Sequence, residues 1–316
     1  MQFNLKIDVD TFRGTREGVP ALAALLTRLG VTATFLFSLG PDHTGRAIKR
    51  MFRPGFLKKV SRTSVLEHYG LRTLLYGTLL PAPDIGLGCA DELIAVRDAG
   101  FEVGIHTWDH IRWQDGVTNA DEAWTEREMR LAHDRFTQVF GSVAIGHGAA
   151  GWQMNQAAVR LTQQLGFRYA SDTRGTHPFL PVWDAQITRC PQIPTTLPTL
   201  DELIGLDGVT SQNVHTRLLE LTAARRRPLE VFTLHAELEG MKLRSTLEML
   251  IQGWRDQGYS FVTLADVAEQ LDLATLPYHR VLLAEVPGRS GVLACQGPEF
   301  LPANRAVQPA PIVQWQ

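Results

Sequence analysis

Short apolar segments that alternate with segments of helical period constrain the fold of this chain more than any other feature. The apolar segments have the length of strands and lie at 3–9, 31–37, 101–106, 143–147, 167–171, 230–235 and 260–263. Strands that alternate with helices in this way are typical of β/α units around a parallel sheet. The sequence therefore predicts an α/β fold, a distorted (β/α) barrel of about seven parallel strands.

The helical segments are recognised by their period and by the glycines that follow them. Between residues 19 and 29 valine and leucine recur at helical spacing, and the next residue is Gly30, which is typical of a helix end. Further helices are predicted over 89–99, 119–140, 154–165, 211–226 and 240–257. We expect one catalytic barrel over 1–271, interrupted by an insertion at 41–87.

Composition excludes several classes of protein. The 316 residues are 44% hydrophobic and 20% charged with a net charge of -2, which is ordinary for a globular protein. The sequence has no basic stripe interleaved with aromatic residues, so we expect no nucleic-acid partner. Cys89, Cys190 and Cys295 are far apart and predict reduced thiols, which favours the cytoplasmic side of the membrane. Neither a secretion signal nor an apolar run of about 18 residues is apparent.

The insertion is strongly basic. From 46 to 72 it has a net charge of +7, with Glu67 as its single acid. Its basic residues are Arg46, Lys49, Arg50, Arg53, Lys58, Lys59, Arg62 and Arg72. Apolar residues interleave with these charges, a pattern that suits contact with anionic lipid headgroups. A solvated helical hairpin that packs on the barrel explains the same pattern equally well.

Beyond the barrel, residues 272–316 are rich in proline and glycine. We expect a loosely ordered C-terminal tail there rather than a domain.

Two aspartates at the end of the first strand are the first candidates for chemistry. Side chains alternate along a strand, so Asp8 and Asp10 share one face, roughly 6.6 Å apart, opposite the apolar face. An acidic strand face can simply be solvated. Here, however, the acids lie where strand gives way to loop, and α/β enzymes place their catalytic groups at such ends.

Two histidines near the third predicted strand supply the other half of a metal site. His106 and His110 are four residues apart, and this spacing presents two imidazoles to one side of a helical turn or tight loop. The spacing alone is common by chance. Together with one carboxylate, the two imidazoles make a three-ligand site with an open position for water. His235 closes a later apolar strand and reaches the same rim.

These motifs resemble those of the polysaccharide deacetylase, or NodB-homology, family of metal-dependent amide hydrolases. The family's first motif holds a base aspartate and a ligand aspartate, its second is HxxxH, and its last is a strand-end Leu-His. The resemblance spans residues 3 to 265 outside the insertion, and it implies that Asp8 is the base. It implies that Asp10, His106 and His110 hold the metal. Val9 separates aspartates that are adjacent in the family, so Asp8 and Asp10 could exchange roles.

The resemblance also implies an acid that protonates the leaving group. This role falls on His235, with Asp172 as the carboxylate that orients it; a plain turn aspartate is the alternative for Asp172. The third motif of the family carries an arginine that steadies the base, but residues 146–152 contain none. Arg174, close to Asp172, could substitute for it or could form a surface ion pair.

Substrate contacts are expected from His147, Trp152, Arg174 and Glu237, although for Glu237 a solvated acid is the favoured alternative. The implied cofactor is a divalent metal, zinc first, with cobalt, nickel or manganese accepted by the same ligands. Within the family, the sequence is most similar to a deformylase branch. The segments that carry this similarity are 6–11, 104–110, 169–175 and 235–240. That branch acts on a formamido sugar carried on a polyprenyl phosphate.

Three functions follow from these observations. The first is that deformylase, peripheral on the cytoplasmic face of the bacterial inner membrane and in contact with its anionic lipids. The second is an N-deacetylase of peptidoglycan or another N-acetylated glycan. The third, supported by the missing arginine, is a sugar-binding protein without turnover.

Overall fold

Parallel strands form a curled sheet that fixes the position of every candidate site residue. The structure, a computed structural model, describes residues 1–47 and 70–300. Its strands are β1 Gln2–Val9, β2 Thr34–Ser38, β3 Glu102–Thr107, β4 Gly146–His147, β5 Tyr169–Ala170, β6 Leu180–Trp183, β7 Gln186–Ile187, β8 Leu229–His235, β9 Ser260–Phe261, β10 Tyr278–Glu285 and β11 Val292–Glu299.

The main sheet contains seven of these strands in the order β5-β4-β3-β2-β1-β8, and β9 pairs with the start of β1. All its pairs are parallel. Each of the seven segments predicted as strands overlaps one of its members. The predicted α/β fold with a curled parallel sheet is therefore confirmed.

An irregular segment bridges the interval between the outer strands β5 and β8. Ile193 N donates to Ala170 O in β5 at 2.8 Å, and Thr196 N donates to Val231 O in β8 at 3.0 Å. Residues 192–197 thus complete the hydrogen bonding between the two edges without forming a regular strand. This segment is what makes the barrel distorted.

Side-chain alternation along β1 separates a hydrophobic core from a polar interior. Phe3, Leu5, Ile7 and Val9 are fully buried in the main hydrophobic cluster with the surrounding helices. Burial of each such side chain contributes about 1.5–3 kcal/mol. The alternate face, toward the inside of the curled sheet, carries polar side chains instead.

The helices cover the outside of the sheet. In the described residues they are α1 Val19–Leu29, α2 Ile85–Gly88, α3 Ala90–Asp98, α4 His110–Gly116, α5 Glu122–Phe140, α6 Gln156–Gln164, α7 Leu200–Leu203, α8 Val214–Arg225, α9 Arg244–Asp256 and α10 Leu264–Glu269. Helix α5 shows how the sequence sets their ends. Asp121 accepts a hydrogen bond from Trp124 N at its start, and Gly141 has a φ of 70° after its end.

A second sheet of order β11-β10-β6-β7 was not predicted. Strand β10 pairs with β11 in antiparallel fashion and with β6 in parallel fashion. The expected loose tail from residue 272 is therefore wrong for 278–299. Gly288 and Gly291 have positive φ in the turn between β10 and β11, so these glycines reflect a hairpin turn and not disorder. Residues 301–316 of that tail lie outside the described residues.

Only the two ends of the basic insertion, 41–47 and 70–87, are described. The predicted membrane-contact residues Lys49, Arg50, Arg53, Lys58, Lys59 and Arg62 lie outside the described residues. Arg46 is described, and its Nε donates to Gly77 O at 3.1 Å. Over the ranges that the structure describes, none of the helices combines the length and the apolar character needed to cross a membrane.

The hairpin of β10 and β11 can be tested with a matched pair of leucines. Leu293 is 3% exposed and Leu283 is 37% exposed. We expect Leu293→Ala to lower the free energy of unfolding by about 2–5 kcal/mol, because it leaves a cavity. Leu283→Ala should cost much less. Urea unfolding followed by circular dichroism measures both changes. Equally small effects of the two substitutions would show that this segment is a loose tail and not a packed hairpin.

Candidate active site and metal centre

The carboxyl ends of β1, β3 and β8 bring the candidate residues to one rim of the barrel. Asp8 lies opposite His235 in the register between β1 and β8, and His106 lies near the end of β3. Asp10 follows β1 directly. His110 is the first residue of α4, whose N-cap Asp109 accepts a hydrogen bond from Arg112 N. The HxxxH, for which the sequence left a helical turn or a tight loop open, is therefore a strand-to-helix junction.

Asp10, His106 and His110 form the one group of potential metal ligands found among the described residues. Their ligand atoms lie within 4.8 Å of one another. His106 Nε2 is 3.3 Å from Asp10 Oδ1, and His110 Nε2 is 3.4 Å from Asp10 Oδ2. Two tetrahedral ligands with bonds of ~2.1 Å are about 3.4 Å apart. The residues present therefore fit a small divalent ion.

Electrostatics keep the Asp10 carboxylate in the ionised form that binds a cation, whereas His106 has to lose its proton before it can act as a ligand. Burial opposes ionisation of Asp10, yet His110, His106 and His235 together hold the pKa of its carboxyl well below the usual range. Burial also opposes charging of His106. Asp8 and Asp10 nevertheless raise the pKa of the His106 imidazole. Three imidazoles and two carboxylates thus stabilise each other in a site that is largely closed to water.

The predicted base, Asp8, has two different surroundings at its two oxygens. Its Oδ2 lies 3.3 Å from Lys6 Nζ, and its Oδ1 lies 3.8 Å from His106 Nδ1. Oδ1 has no hydrogen-bond partner among the described residues. Lys6 was missed from the sequence, although its position two residues before Asp8 places both side chains on one strand face.

The predicted pairing of Asp172 with His235 is wrong. Asp172 Oδ1 lies 2.8 Å from His147 Nδ1 and also accepts from Ala149 N, while Gln192 Nε2 donates to Oδ2. His147 is beside Ile105 in the sheet register, so its side chain shares the helix-facing side and not that of His106. The alternation of strand side chains is therefore what separates Asp172 from His235.

His147 itself is 2% exposed, and its ring packs near those of Trp113 and Phe167. These contacts and the hydrogen bond to Asp172 do not bring it to the metal ligands. The expectation that His147 contacts substrate is not supported by this position.

The carboxylate beside His235 is Glu239, and it contacts the backbone of His235 rather than its imidazole. The backbone N–H of His235 donates to Glu239 Oε2 at 2.8 Å, and its Nδ1 has no hydrogen-bond partner in the described part of the chain. Burial raises the pKa of Glu239 to about 7. The imidazole of His235 thus remains available to a group that enters the site.

Glu237 is buried, so the alternative of a solvated acid is excluded. Its Oε1 accepts hydrogen bonds from Asp10 N, Thr11 N and Thr11 Oγ1. Burial, helped by Asp10, raises its pKa to about 8. A Cβ at Gly14 would lie 2.0 Å from Glu237 Oε1, so a larger residue there would displace this carboxylate from its hydrogen bonds. Glu237 therefore fixes the loop that carries Asp10.

Trp152 and Arg174 lie together behind the rim. The Trp152 ring is 1% exposed and has Arg174 Cζ and Arg289 Cζ each 4.8 Å from its centroid. Arg174 forms an ion pair of 2.6 Å with Glu202. Arg174 therefore neither forms a surface ion pair nor takes the place of the missing arginine, because Glu202 already neutralises it.

A matched pair of buried histidines tests the metal ligands. We expect His106→Ala to lower zinc affinity by more than about a hundred-fold, because it removes one of three ligands. His147→Gln should leave zinc affinity close to that of the wild type, since His147 bonds Asp172 instead. Calorimetric titration of zinc into metal-free protein measures both, and equal losses would show that the ligand set is wrongly assigned.

Several known proteins have sequences related to this chain. The sequence model of the family described as "Polysaccharide deacetylase" matches residues 8–170. A Shewanella sediminis (strain HAW-EB3) protein named "Probable 4-deoxy-4-formamido-L-arabinose-phosphoundecaprenol deformylase ArnD" is 38% identical over 292 residues, 92% of this chain and 93% of that protein. A Wigglesworthia glossinidia brevipalpis protein of the same name is 31% identical over 285 residues, 90% of this chain and 98% of that protein.

The fold has solved counterparts as well. A crystal structure of a Mycobacterium smegmatis protein assigned to the polysaccharide deacetylases aligns with a TM-score of 0.61 and 16% identity. The alignment covers 90% of this chain and 95% of that one, and at this identity it bears on the fold alone. Sequence match, relatives and strand-end motifs together lead to one conclusion: the chain belongs to the polysaccharide deacetylase family of amide hydrolases.

Proposed function

We propose that this protein removes the formyl group from 4-deoxy-4-formamido-L-arabinose carried on undecaprenyl phosphate. Formate and the 4-amino sugar would be the products, the latter for lipid A modification and resistance to cationic peptides such as polymyxin. The observation that carries the proposal is the convergence of Asp10, His106 and His110 beside Asp8. The names of two relatives that match at least 90% of this chain support the choice of substrate.

The ligand set suits zinc first and accepts cobalt, nickel or manganese. When bound by Asp10, His106 and His110, such a cation supplies Lewis-acid polarisation of the amide carbonyl and makes a water molecule more acidic. These three residues hold it with one carboxylate and two imidazoles. Asp8 and His235 lie at the same rim, opposite each other in the register of β1 and β8.

The protein's own residues then move the protons. Asp8 takes a proton as the water oxygen bonds to the formyl carbon. A backbone N–H of the loop 146–151 would stabilise the developing oxyanion; those of Gly148 and Ala149 already donate to Ile105 O and Asp172 Oδ1. His235 donates a proton to the nitrogen as the C–N bond breaks, because an amide anion is a very poor leaving group. Proton donation by His235 does not need Asp172.

Formate release tests the proposed reaction. We expect zinc-loaded wild type to release formate from the undecaprenyl-linked formamido sugar, and Asp8→Asn to lower kcat by about 10²–10⁴-fold, because the base is lost. Asp98→Asn, an exposed aspartate at the end of α3, is the matched control and should be unchanged. His106→Ala should also be inactive.

Two outcomes would contradict the proposal. Release of acetate from an N-acetylated glycan, with no formate from the formamido sugar, would support the N-deacetylase. Binding of the sugar without release of either acid would support a non-catalytic sugar-binding protein.

We also propose that the protein binds peripherally to the anionic cytoplasmic face of the inner membrane through the basic insertion. The described ends of the insertion carry exposed apolar side chains beside Arg46 and Arg72. Leu71 is 67%, Leu79 is 81% and Leu87 is 56% exposed. Exposed leucines among basic residues suit a surface that contacts lipid headgroups and the outer ends of acyl chains.

Vesicle sedimentation tests this surface. We expect reversal of Lys58, Lys59 and Arg62 to Glu to weaken pelleting with anionic vesicles by about a hundred-fold, at about 1 kcal/mol for each basic residue lost. Leu71→Ser with Leu79→Ser should weaken pelleting too. Val143→Ser is the matched control, because Val143 is 61% exposed and precedes β4 at the opposite end of the barrel. Unchanged pelleting would favour the solvated hairpin.

A further inference from the structure

A charged lysine lies inside the barrel where charge is costly. The Lys6 side chain is fully buried, and its Nζ has no hydrogen-bond partner among the described residues. Its one ion pair in that part of the chain is with Asp8 Oδ2, at 3.3 Å. A buried ammonium without a compensating charge is strongly unfavourable, so Asp8 is what makes Lys6 tolerable at this position.

The surroundings hold Lys6 on Asp8. Its Nζ lies 5.3 Å from the centroid of the Trp152 ring, a cation–π contact. Trp152 Nε1 donates to Thr195 Oγ1 at 3.2 Å, which fixes the ring. A Cβ at Gly148 would lie 3.0 Å from Lys6 Cε and 2.4 Å from Leu36 Cδ1. The glycine thus leaves the space through which the lysine stem passes.

No arginine among the described residues forms an ion pair with Asp8 in place of Lys6. Residues 146–152 contain none. Arg174 and Arg289 reach the same tryptophan ring, but both form ion pairs with Glu202. Among the lysines and arginines that the structure describes, Lys6 is therefore the one that forms an ion pair with Asp8.

We propose that Lys6 is a positioning residue for the reaction and orients the base Asp8 as its fixed counter-ion. The inference rests on the proposed function in one respect, the role of Asp8 as base. Lys6 occupies Oδ2, so Oδ1 is the oxygen that receives the proton from water. Oδ1 is the one without a hydrogen bond and faces His106. Among the described residues, Lys6 forms neither an ion pair nor a hydrogen bond with Asp10, His106 or His110.

Substitution of Lys6 separates charge from packing. Lys6→Met keeps the length of the side chain and removes the charge, whereas Lys6→Arg keeps the charge. We expect Lys6→Met to lower kcat for formate release by about a hundred-fold, with KM within about three-fold, because only proton transfer is impaired. Lys6→Arg should restore kcat to within about ten-fold of wild type. If Lys6 only filled space, Lys6→Met would keep a higher kcat than Lys6→Arg.

A double-mutant cycle tests the ion pair without any substrate. Zinc-loaded wild type, Lys6→Met, Asp8→Asn and the double variant are unfolded in urea. We expect Lys6→Met to lower the unfolding midpoint, because it leaves Asp8 buried without its counter-ion, and Asp8→Asn to raise that midpoint again in the Lys6→Met background.

The two measurements distinguish failure of the inference from failure of the proposed function. Additive midpoint shifts, or a Lys6→Met variant with wild-type kcat, would overturn the role of Lys6. A wild type that releases no formate, together with a coupled cycle, would overturn the substrate and leave the Lys6–Asp8 pair established.

Discussion

The neutralisation of charged groups inside a closed sheet is the constraint on which the rest of this structure depends. The inward face of β1 carries Asn4, Lys6 and Asp8, all fully or nearly fully buried. Each buried polar group must find a partner, because water cannot reach it to compensate. The neighbouring strands supply those partners, and this requirement fixes which residues can stand on β2, β3 and β8.

Two levels of the barrel meet this constraint in different ways. Near the start of β1 the partners satisfy each other: Glu102 accepts from Thr34 Oγ1 and from Tyr169 OH, and Asn4 donates to Thr34. Burial raises the pKa of Glu102. At the carboxyl rim the buried atoms without a hydrogen bond to another described residue include Asp8 Oδ1, Asp10 Oδ1, His106 Nδ1 and His235 Nδ1. Near the start of β1, Asn4 Oδ1 alone among the atoms of these four side chains lacks a hydrogen bond in the described residues, and the network stabilises the fold, whereas a concentration of unsatisfied atoms at the rim suits a site for chemistry.

Local patterns were sufficient to predict the seven strands from the sequence, because strand alternation is a short-range property. The choice of Asp10 as the ligand beside His106 and His110 came from the resemblance to the family, and the three side chains lie close enough together to hold a metal ion. The partner of Asp172 was not predictable in that way. It depends on which face of β4 His147 occupies, and this is a property of the sheet register. The hairpin of β10 and β11 was missed because its strands are largely half-exposed and its turn glycines are also typical of disorder. Lys6 was missed because its significance depends on burial.

The separation of the two aspartates by Val9 has a physical explanation in this register. Adjacent residues of a strand point to opposite faces, so two adjacent acids could not both enter the barrel from within β1. Asp8 is still paired with His235 in the sheet, whereas Asp10 lies just beyond the last strand residue. Glu237, on the loop after β8, accepts the hydrogen bond of Asp10 N and so orients the ligand. Asp8 is thus positioned by the sheet, and Asp10 by a side chain from a neighbouring loop. This difference in positioning argues that Asp10 is the ligand and Asp8 the base.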